Sequence, residues 1–587
     1  MLDFVAPYHY GKGMAHIAKK VKKGKTYYYI RETARVNGKP RTVNQIYLGS
    51  IERIMNMALG HQKPAVNKIQ TQEFGSLFLA NLVDKHINLV KIVDSVVPPS
   101  PREKGPTLGE YFLYAVFNRM IQPRSKMGLA SWYKNFAVHQ VRPVITSALT
   151  SKRYWEKWDR VDQKAIQEMS KEFFNKINDI EKAESDCFLF DTTNYFNYMD
   201  SKTSSELAVR GHNKEGKHWL RQIGLALLVS RTDQIPLFYR EFEGNCHDSK
   251  LFNRLLQEIF ETLLQLDQSK GELTIVIDKG MNSEDNMKTI DRQEGVHFIT
   301  TYSVAFAEDL ARKDLSYFTP VDTPKNQELV QKGRAEDQMV AWRTSGRFWG
   351  QERTVVVTYN PRTAAKQRYS FDKKLGKLHD GLFEMRSRVR SGKKNWTSKT
   401  QLMQRYKDLC SSLYLPQDLY DLEFKTKNNK LHMYFRKNHY RISRHVARFG
   451  KNIIITSHHD WPTDKIVKAS LDRYQVEHSF RQTKAGEFGN FRPTWHWTDS
   501  KLRCHLFSCV VALTYLSLIR LWLQRAGVKY TADHAMQSMR NLASCLCWQS
   551  DKRKPFRMIE EPDSDQAKIL QVCGYKIQNG VLQSLHQ

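Results

Sequence analysis

The eight cysteines contain no Cys-x-x-Cys pair, and no His/Cys group has the spacing of a zinc finger. That excludes a zinc ribbon and a dithiol redox motif. Isolated thiols of this kind read as buried free cysteines in a reducing compartment. Long apolar runs are also missing. The most apolar stretch, Leu506 to Ile519, is interrupted at Arg520 and falls short of the roughly 20 residues a bilayer span needs. A buried core helix is expected there, and no membrane partner. The N-terminus has no charged segment followed by an apolar one, so no signal peptide is expected. No internal repeat or long low-complexity tract occurs. Acid is scarce as well: 61 Asp+Glu stand against 92 Lys+Arg, a net charge of +31.

What is present is enough for a large globular protein. The chain has 587 residues, 41% of them hydrophobic, and at roughly 100–200 residues per domain it allows several folding units. No fold requires such an excess of positive charge, but an anionic partner does, and nucleic acid is the commonest. The basic residues are spread along the chain, as in Lys19-Lys20, Lys22-Lys23, Arg386 to Arg390 and Lys393-Lys394. A long path for DNA fits that spread better than one basic tail does.

The periodicity changes along the chain. Lys25 to Arg31 and Thr42 to Leu48 read as strands joined at Asn37-Gly38, a turn signal because both residues tolerate positive φ. Residues 1–60 are therefore expected to be a β-hairpin arm. Residues 70–181 read as helical: Phe74 to Val97, Leu108 to Ile121 behind Pro106-Thr107, Ser131 to Phe136, Arg153 to Val161 and Gln163 to Ile180. A helical DNA-binding domain is the expectation here. From 185 to 334 short apolar runs alternate with helices. Cys187 to Phe190 ends at Asp191, Ile223 to Val229 and Pro236 to Phe242 follow, a helix starts at Asp248 as its N-cap, and Leu273 to Ile277 ends at Asp278. Ser283 to Arg292 and His297 to Thr301 complete the order β-β-β-α-β-α-β, with an Asp ending strands one and four. That is the pattern of an RNase H-like domain. Residues 335–457 interrupt it, with strands expected at Met339 to Thr344, Arg353 to Tyr359, Leu431 to Ser443 and Ile453 to Ser457, and read as a β-rich insertion. Residues 458–530 resume the domain with one helix over 463–486, N-capped by Thr463, and a second over 499–526. Residues 531–587 are expected as a C-terminal tail, and the sequence beyond about residue 550 is uninformative. The expected fold class is thus α/β: an RNase H-like catalytic domain interrupted by a β-rich insertion and preceded by a β-hairpin arm and a helical domain.

Three carboxylates stand out. Asp191 and Asp278 each follow a buried strand, and those two strands lie side by side in the expected order. Either one alone reads better as a simple turn former. The third, Glu477, sits in Arg473-Tyr474-Gln475-Val476-Glu477-His478-Ser479-Phe480-Arg481-Gln482-Thr483-Lys484. Helical spacing puts Arg473, Glu477, Arg481 and Lys484 on one stripe and leaves Val476 and Phe480 to pack on the core. A salt-bridged surface helix would look similar. A carboxylate flanked by cations also suits a metal ligand beside phosphate contacts. Phosphodiester cleavage asks for such a set, because two divalent ions roughly 3.5–4 Å apart activate the nucleophile and the leaving oxygen.

These stretches resemble the DDE-type insertion-sequence transposases of bacteria and archaea, in the group where a β-rich insertion precedes the Glu. The resemblance rests on Asp191-Thr192-Thr193-Asn194, Gly244-Asn245-Cys246-His247-Asp248-Ser249-Lys250, Asp278-Lys279-Gly280-Met281-Asn282 and Glu477-x-x-Phe480-Arg481-x-x-Lys484, in that order, and on the hairpin ending Tyr47-Leu48-Gly49. It implies that Asp191, Asp278 and Glu477 are catalytic and hold Mg²⁺ or Mn²⁺. It also implies that Arg473 and Lys484 contact transposon-end phosphates, with Arg481 on the same stripe. One position departs from the family pattern: Ser470 stands where a Tyr is usual. The resemblance further implies cut-and-paste transposition, with terminal inverted repeats and target DNA as double-stranded partners, a homodimer on DNA, and a cytoplasmic, nucleoid-associated location. A hairpin intermediate would need an aromatic to hold a flipped base, and Trp342, Trp349 and Trp396 lie in or near the insertion. Two other readings use the same features: an inactive transposase-derived DNA-binding protein, and a metal-dependent endonuclease that does not join strands.

Overall fold

The computed structural model describes residues 14–585, except 37, 59–65, 138–141, 183–186, 201, 214–215, 267–271, 428–429, 493 and 550–553. The chain divides into two compact units. One comprises 1–72, 542–563 and 575–587, and the other 73–541 and 564–574.

The smaller unit is mostly β. Strands β1 (Met14–Lys22), β2 (Lys25–Val36) and β3 (Lys39–Gly49) form an antiparallel sheet in that order. β1 and β2 meet at Lys23-Gly24, both at positive φ (51° and 73°), the two-residue turn whose twist matches that of paired strands. Gly38 in the next turn has φ +75°, while Asn37 lies outside the described residues. The first strand escapes a reading from alternation because its lysines break the apolar rhythm. β4 (Val66–Glu73) pairs with Ala543–Gln549, which in turn pairs with Phe556–Ile559. The segment beyond 531 therefore carries regular structure, in strands and helices too short to show a period.

The larger unit begins with helices. Thr107 caps Leu108–Ile121 through a reciprocal box with Glu110, and Asp162 caps Gln163–Ile180. The long helix expected from Phe74 is two, Gly75–Ile87 and Leu89–Val96. Asn88 adopts a left-handed conformation between them (φ 60°) and accepts from the Lys91 N–H. These helices share a core with the sheet: Phe507, in the helix Asp499–Arg525, meets the rings of Phe112, Phe173 and Tyr239. That helix is long and apolar enough to cross a membrane, but 83% of its apolar window is buried in the protein, as expected for a core helix.

The central sheet follows. It contains β5 (Cys187–Asn197), β6 (Val209–Arg210), β7 (Arg221–Ser230), β8 (Pro236–Glu243), β9 (Leu273–Ile277), β10 (Val296–Tyr302), β11 (Thr319–Pro320), β12 (Val340–Phe348), β13 (Gln351–Tyr359) and, beyond the hairpin β14 (Tyr420–Lys427) and β15 (Lys430–Lys437), β16 (Lys451–Thr456). The order is β11-β12-β13-β16-β10-β9-β5-β7-β6, with β8 also on β7. β9 runs parallel to both β5 and β10, and the other pairings are antiparallel. The path β8-β7-β5-β9-β10 is consistent with an RNase H-like fold carrying a β-rich insertion.

Several boundaries differ from the sequence reading. β5 does not stop at Asp191. Thr192 to Asn197 continue it along β7 after β9 has ended, because β-branched and aromatic residues keep the chain extended. β12, β13 and β16 extend the central sheet itself rather than forming a separate body. What stands apart is largely helical: Pro361–Arg390, Lys399–Ser412 and His439–Val446 with the β14–β15 hairpin, around Leu378, Leu382, Tyr406 and Met433. The strand expected over Leu431 to Ser443 turns into a helix at Asn438, whose side chain accepts from the Arg441 N–H. Thr463 is not an N-cap: Pro462 precedes the helix Thr463–Asp472, and no side chain caps it.

Candidate active site

Asp191 and Asp278 are brought level by strand register. Leu189 of β5 faces Val276 of β9, so two residues further on each strand delivers its carboxylate to the same edge. There β9 has ended and Asp278 leads into the turn Lys279–Met281. The third carboxylate arrives on the helix Tyr474–Ala485, held against the core by the buried Val476 and Phe480. A turn at Arg473 separates that helix from Thr463–Asp472, although its φ and ψ (−53°, −24°) are helical.

Arg473 joins the three. Its Nη1 lies 3.7 Å from Asp191 Oδ2 and 3.3 Å from Asp278 Oδ1, and its Nη2 lies 3.0 Å from Glu477 Oε1. Asp191 is the most enclosed of the acids and Glu477 the most open. Burial raises the Asp191 carboxyl to about 6. The Thr192 N–H and Arg473 act against that rise, while Asp278 and Glu477 add to it. Lys484 reaches the same region from the other end of the helix, donating to Thr193 Oγ1 at 2.5 Å, with the Tyr195 ring beneath it. Arg481 is exposed on that helix. Arg473, Glu477 and Lys484 thus face the β5–β9 edge, whereas Arg481 does not join them.

A fourth carboxylate stands beside these three. Asp248 opens the helix Asp248–Leu266, but its Oδ1 accepts from Thr192 Oγ1 at 2.8 Å, next to Asp191. A Cβ placed on Gly280 would lie 3.8 Å from both Asp248 Oδ2 and Asp278 Oδ2, so these oxygens flank one glycine. The signal was its place in the Gly244 to Lys250 motif, where a turn followed by a helix also explains an Asp.

A second group lies at the other end of β9. Glu272, His297 and His458 carry ligand atoms within 4.8 Å of one another and could hold a divalent metal. Glu272 precedes β9 and Asp278 follows it, so at ~3.3 Å per residue the two ends are roughly 20 Å apart. His458 is stacked between His297 (4.1 Å) and Trp461 (3.9 Å), and its Nε2 lies 2.7 Å from Thr274 Oγ1. Imidazoles with one carboxylate suit zinc better than magnesium. Sequence spacing gives no hint of this group, because its members come from three separate elements. The insertion tryptophans are packed: Trp349 against Phe298 and Tyr302, Trp342 near Phe318, and Trp396 under Arg388 and Arg405.

Residues 197–515 match the family described as Transposase DDE domain, more than half of the chain, and the protein belongs to that family. The matched span contains Asp278, Arg473 and Glu477 and begins just after Asp191. Among solved structures, the chain is similar to a piggyBac transposase synaptic complex with hairpin DNA, studied by cryo-electron microscopy. The identity is 8% and the TM-score 0.36, over 81% of this chain and 82% of that one. None of the curated proteins matches the sequence.

Proposed function

We propose that the protein is a transposase that cuts the ends of the insertion sequence encoding it and joins their 3′-ends to target DNA. The observation that carries this reading is the convergence of Asp191, Asp278 and Glu477 on one guanidinium. Three acids from distant parts of the chain are held together where β9 ends beside β5, in the middle of the sheet. The donor set fits Mg²⁺ or Mn²⁺, because all three contribute hard oxygens and none is an imidazole or a thiolate. Divalent ions held there would neutralise the scissile phosphate and activate the attacking water or 3′-hydroxyl. The chain's own groups do the rest. Arg473 and Lys484 line the crevice with positive charge and receive the phosphates of the transposon end. Arg481, exposed one turn away, contacts the flanking backbone. The Asp191 carboxylate is oriented by the Thr192 N–H and kept from bulk water by burial. The net charge of +31 supports a long DNA contact, and two ends must be held at once, which favours a homodimer on DNA.

Joining separates this reading from that of a simple endonuclease. A pre-cut element end with a free 3′-hydroxyl is incubated with the protein, a supercoiled plasmid and Mg²⁺. Plasmid carrying the end is the expected product, absent in EDTA. Cutting of the uncleaved end without any joining would reduce the protein to a nuclease.

A further inference from the structure

The end of β9 is approached from both faces of the sheet. The helix bearing Glu477 lies on the Tyr195 side of β5, where Tyr195 Oη and Thr483 Oγ1 are 2.5 Å apart. The helix Asp248–Leu266 lies on the other side, with the Phe252 ring 5.2 Å from that of Phe190. Residues an odd number apart on one strand point to opposite faces. Asp248 therefore arrives from the face opposite Glu477.

Its surroundings are those of more than a helix-opening acid. The first bond of the helix runs from the Leu251 N–H to the His247 carbonyl (3.0 Å). That makes His247 the cap residue and places Asp248 inside the first turn. The Asp248 carboxylate is turned to β5 instead. Its Oδ1 accepts from Thr192 Oγ1 at 2.8 Å, while the Thr192 N–H donates to Asp191 Oδ1 at 2.8 Å. One residue thus holds two of the acids. Asp248 Oδ2 stands beside Gly280, as Asp278 Oδ2 does. Gly280 is outside the left-handed region, and a Cβ there would meet nothing closer than these two oxygens at 3.8 Å. Neither backbone strain nor packing calls for glycine at that position. What the missing side chain leaves is space between two carboxylate oxygens. Arg473 pairs with the other three acids but not with Asp248.

We propose that Asp248 is a fourth carboxylate of the divalent-cation site, offering Oδ2 beside Asp278 while Thr192 fixes Oδ1. The proposal rests on reading the acids as a metal site for phosphodiester chemistry. The two oxygens beside Gly280 are no more than twice 3.8 Å apart. A Mg²⁺–oxygen bond is about 2.1 Å and paired ions stand roughly 3.5–4 Å apart, so oxygens separated by up to roughly 8 Å can serve one ion pair. Charge balance agrees. Two divalent ions carry four positive charges, which four carboxylates match, leaving Arg473 and Lys484 to the phosphates.

The test reads ion binding directly. Full-length protein without DNA is titrated with Mn²⁺, and the free ion is measured by electron paramagnetic resonance. Asp248→Asn still accepts from Thr192 but loses the charge, and is expected to weaken Mn²⁺ binding about tenfold or more. Its melting temperature in EDTA is expected to match the wild type. Gly280→Ala keeps every charge and fills the space between the oxygens, and is expected to weaken binding about fivefold. Asp285→Asn, an exposed acid of the following helix, removes the same charge away from the site and is expected to change binding by less than about twofold. An Asp248→Asn effect no larger than that of Asp285→Asn would overturn the proposal, and so would an unaltered affinity in Gly280→Ala. Cleavage of element-end DNA by the wild type keeps the two readings apart. Cutting, with Asp248→Asn binding Mn²⁺ like the wild type, removes the fourth ligand and leaves the transposase reading. Weakened binding in Asp248→Asn, with a wild type that never cuts, keeps Asp248 at the cation site and removes the transposase reading.

Discussion

Two cations in the larger unit meet opposite surroundings. Arg473 stands in an open crevice with three carboxylates within 3.7 Å. Lys126 is buried, its Nζ has no hydrogen-bond partner among the described residues, and the faces of Trp158 and Tyr154 lie 4.8 and 5.5 Å away. Burial, and then the neighbouring Arg119, pull the Lys126 amine down to about 7. The ring faces act in the other direction, since they favour a charge. A charge gathered with acids in a crevice is open to an incoming partner, as the proposed DNA contact requires. A charge sunk among rings is a cost that packing tolerates. The difference shows that cation count alone does not locate function in a chain carrying +31, and that the partners of each cation do.

The sharpest way to test that contrast is to remove the acids. Asp278→Asn is expected to lower metal-dependent cleavage roughly a thousandfold or more while the protein stays folded, read by single-turnover cutting alongside a thermal melt. Arg473→Gln comes next, with cleavage expected to fall about 10- to 100-fold. In EDTA its melting temperature is expected to drop, because three acids then face one another without a cation, and Mg²⁺ is expected to restore it. Equal melting with and without Mg²⁺ would remove the link between Arg473 and a cation site.

Lys126→Met should act the other way, leaving cleavage unchanged and stabilising the protein by about 2 kcal/mol at neutral pH. The sign follows from proton binding. The folded-state value of about 7 lies below the ordinary 10.5. Between those limits the unfolded chain binds more protons, so this group makes stability rise with pH across that window. Its cost is fully present below about 7. Denaturant melts at pH 7 and pH 10 are expected to differ less in the Met variant than in the wild type, and equal slopes would contradict the assignment. The smallest effect is expected at the far end of β9. His297→Ala should leave Mg²⁺-dependent cutting within about twofold while abolishing any rise in melting temperature caused by Zn²⁺. A large loss of cutting would tie that cluster to the chemistry.

Much of the architecture was legible in the sequence because buried strands and capped helices carry their own signals. Pro106-Thr107 before Leu108, the helical span Gln163 to Ile180, and the apolar run before Asp278 marked elements that the structure has at those positions. On the Glu477 helix the burial of Val476 and Phe480 was legible in the same way, whereas Arg481, expected on the stripe of Arg473, Glu477 and Lys484, is exposed and apart from them. Other features depend on partners that a local pattern does not reveal. β12, β13 and β16 look like any half-buried strands, and only the pairing of β16 with β10, of β13 with β16 and of β12 with β13 makes them part of the central sheet. Asp191 sits within β5 rather than at its end because β7 outlasts β9 as a partner. Asp248 is an ordinary acid at a helix start until Thr192 of β5 and Asp278 after β9 stand beside it. Lys126 reads as a surface lysine in any scan of charge.

The most direct test of the central claim is strand cleavage of DNA carrying the element's end, with Mg²⁺ or EDTA, by the wild type and by Glu477→Gln. Cutting at the element boundary is expected to need the metal and to be lost in the variant, which keeps the side-chain shape but not the charge. End binding without cutting under any metal, or equal cutting by Glu477→Gln, would contradict it.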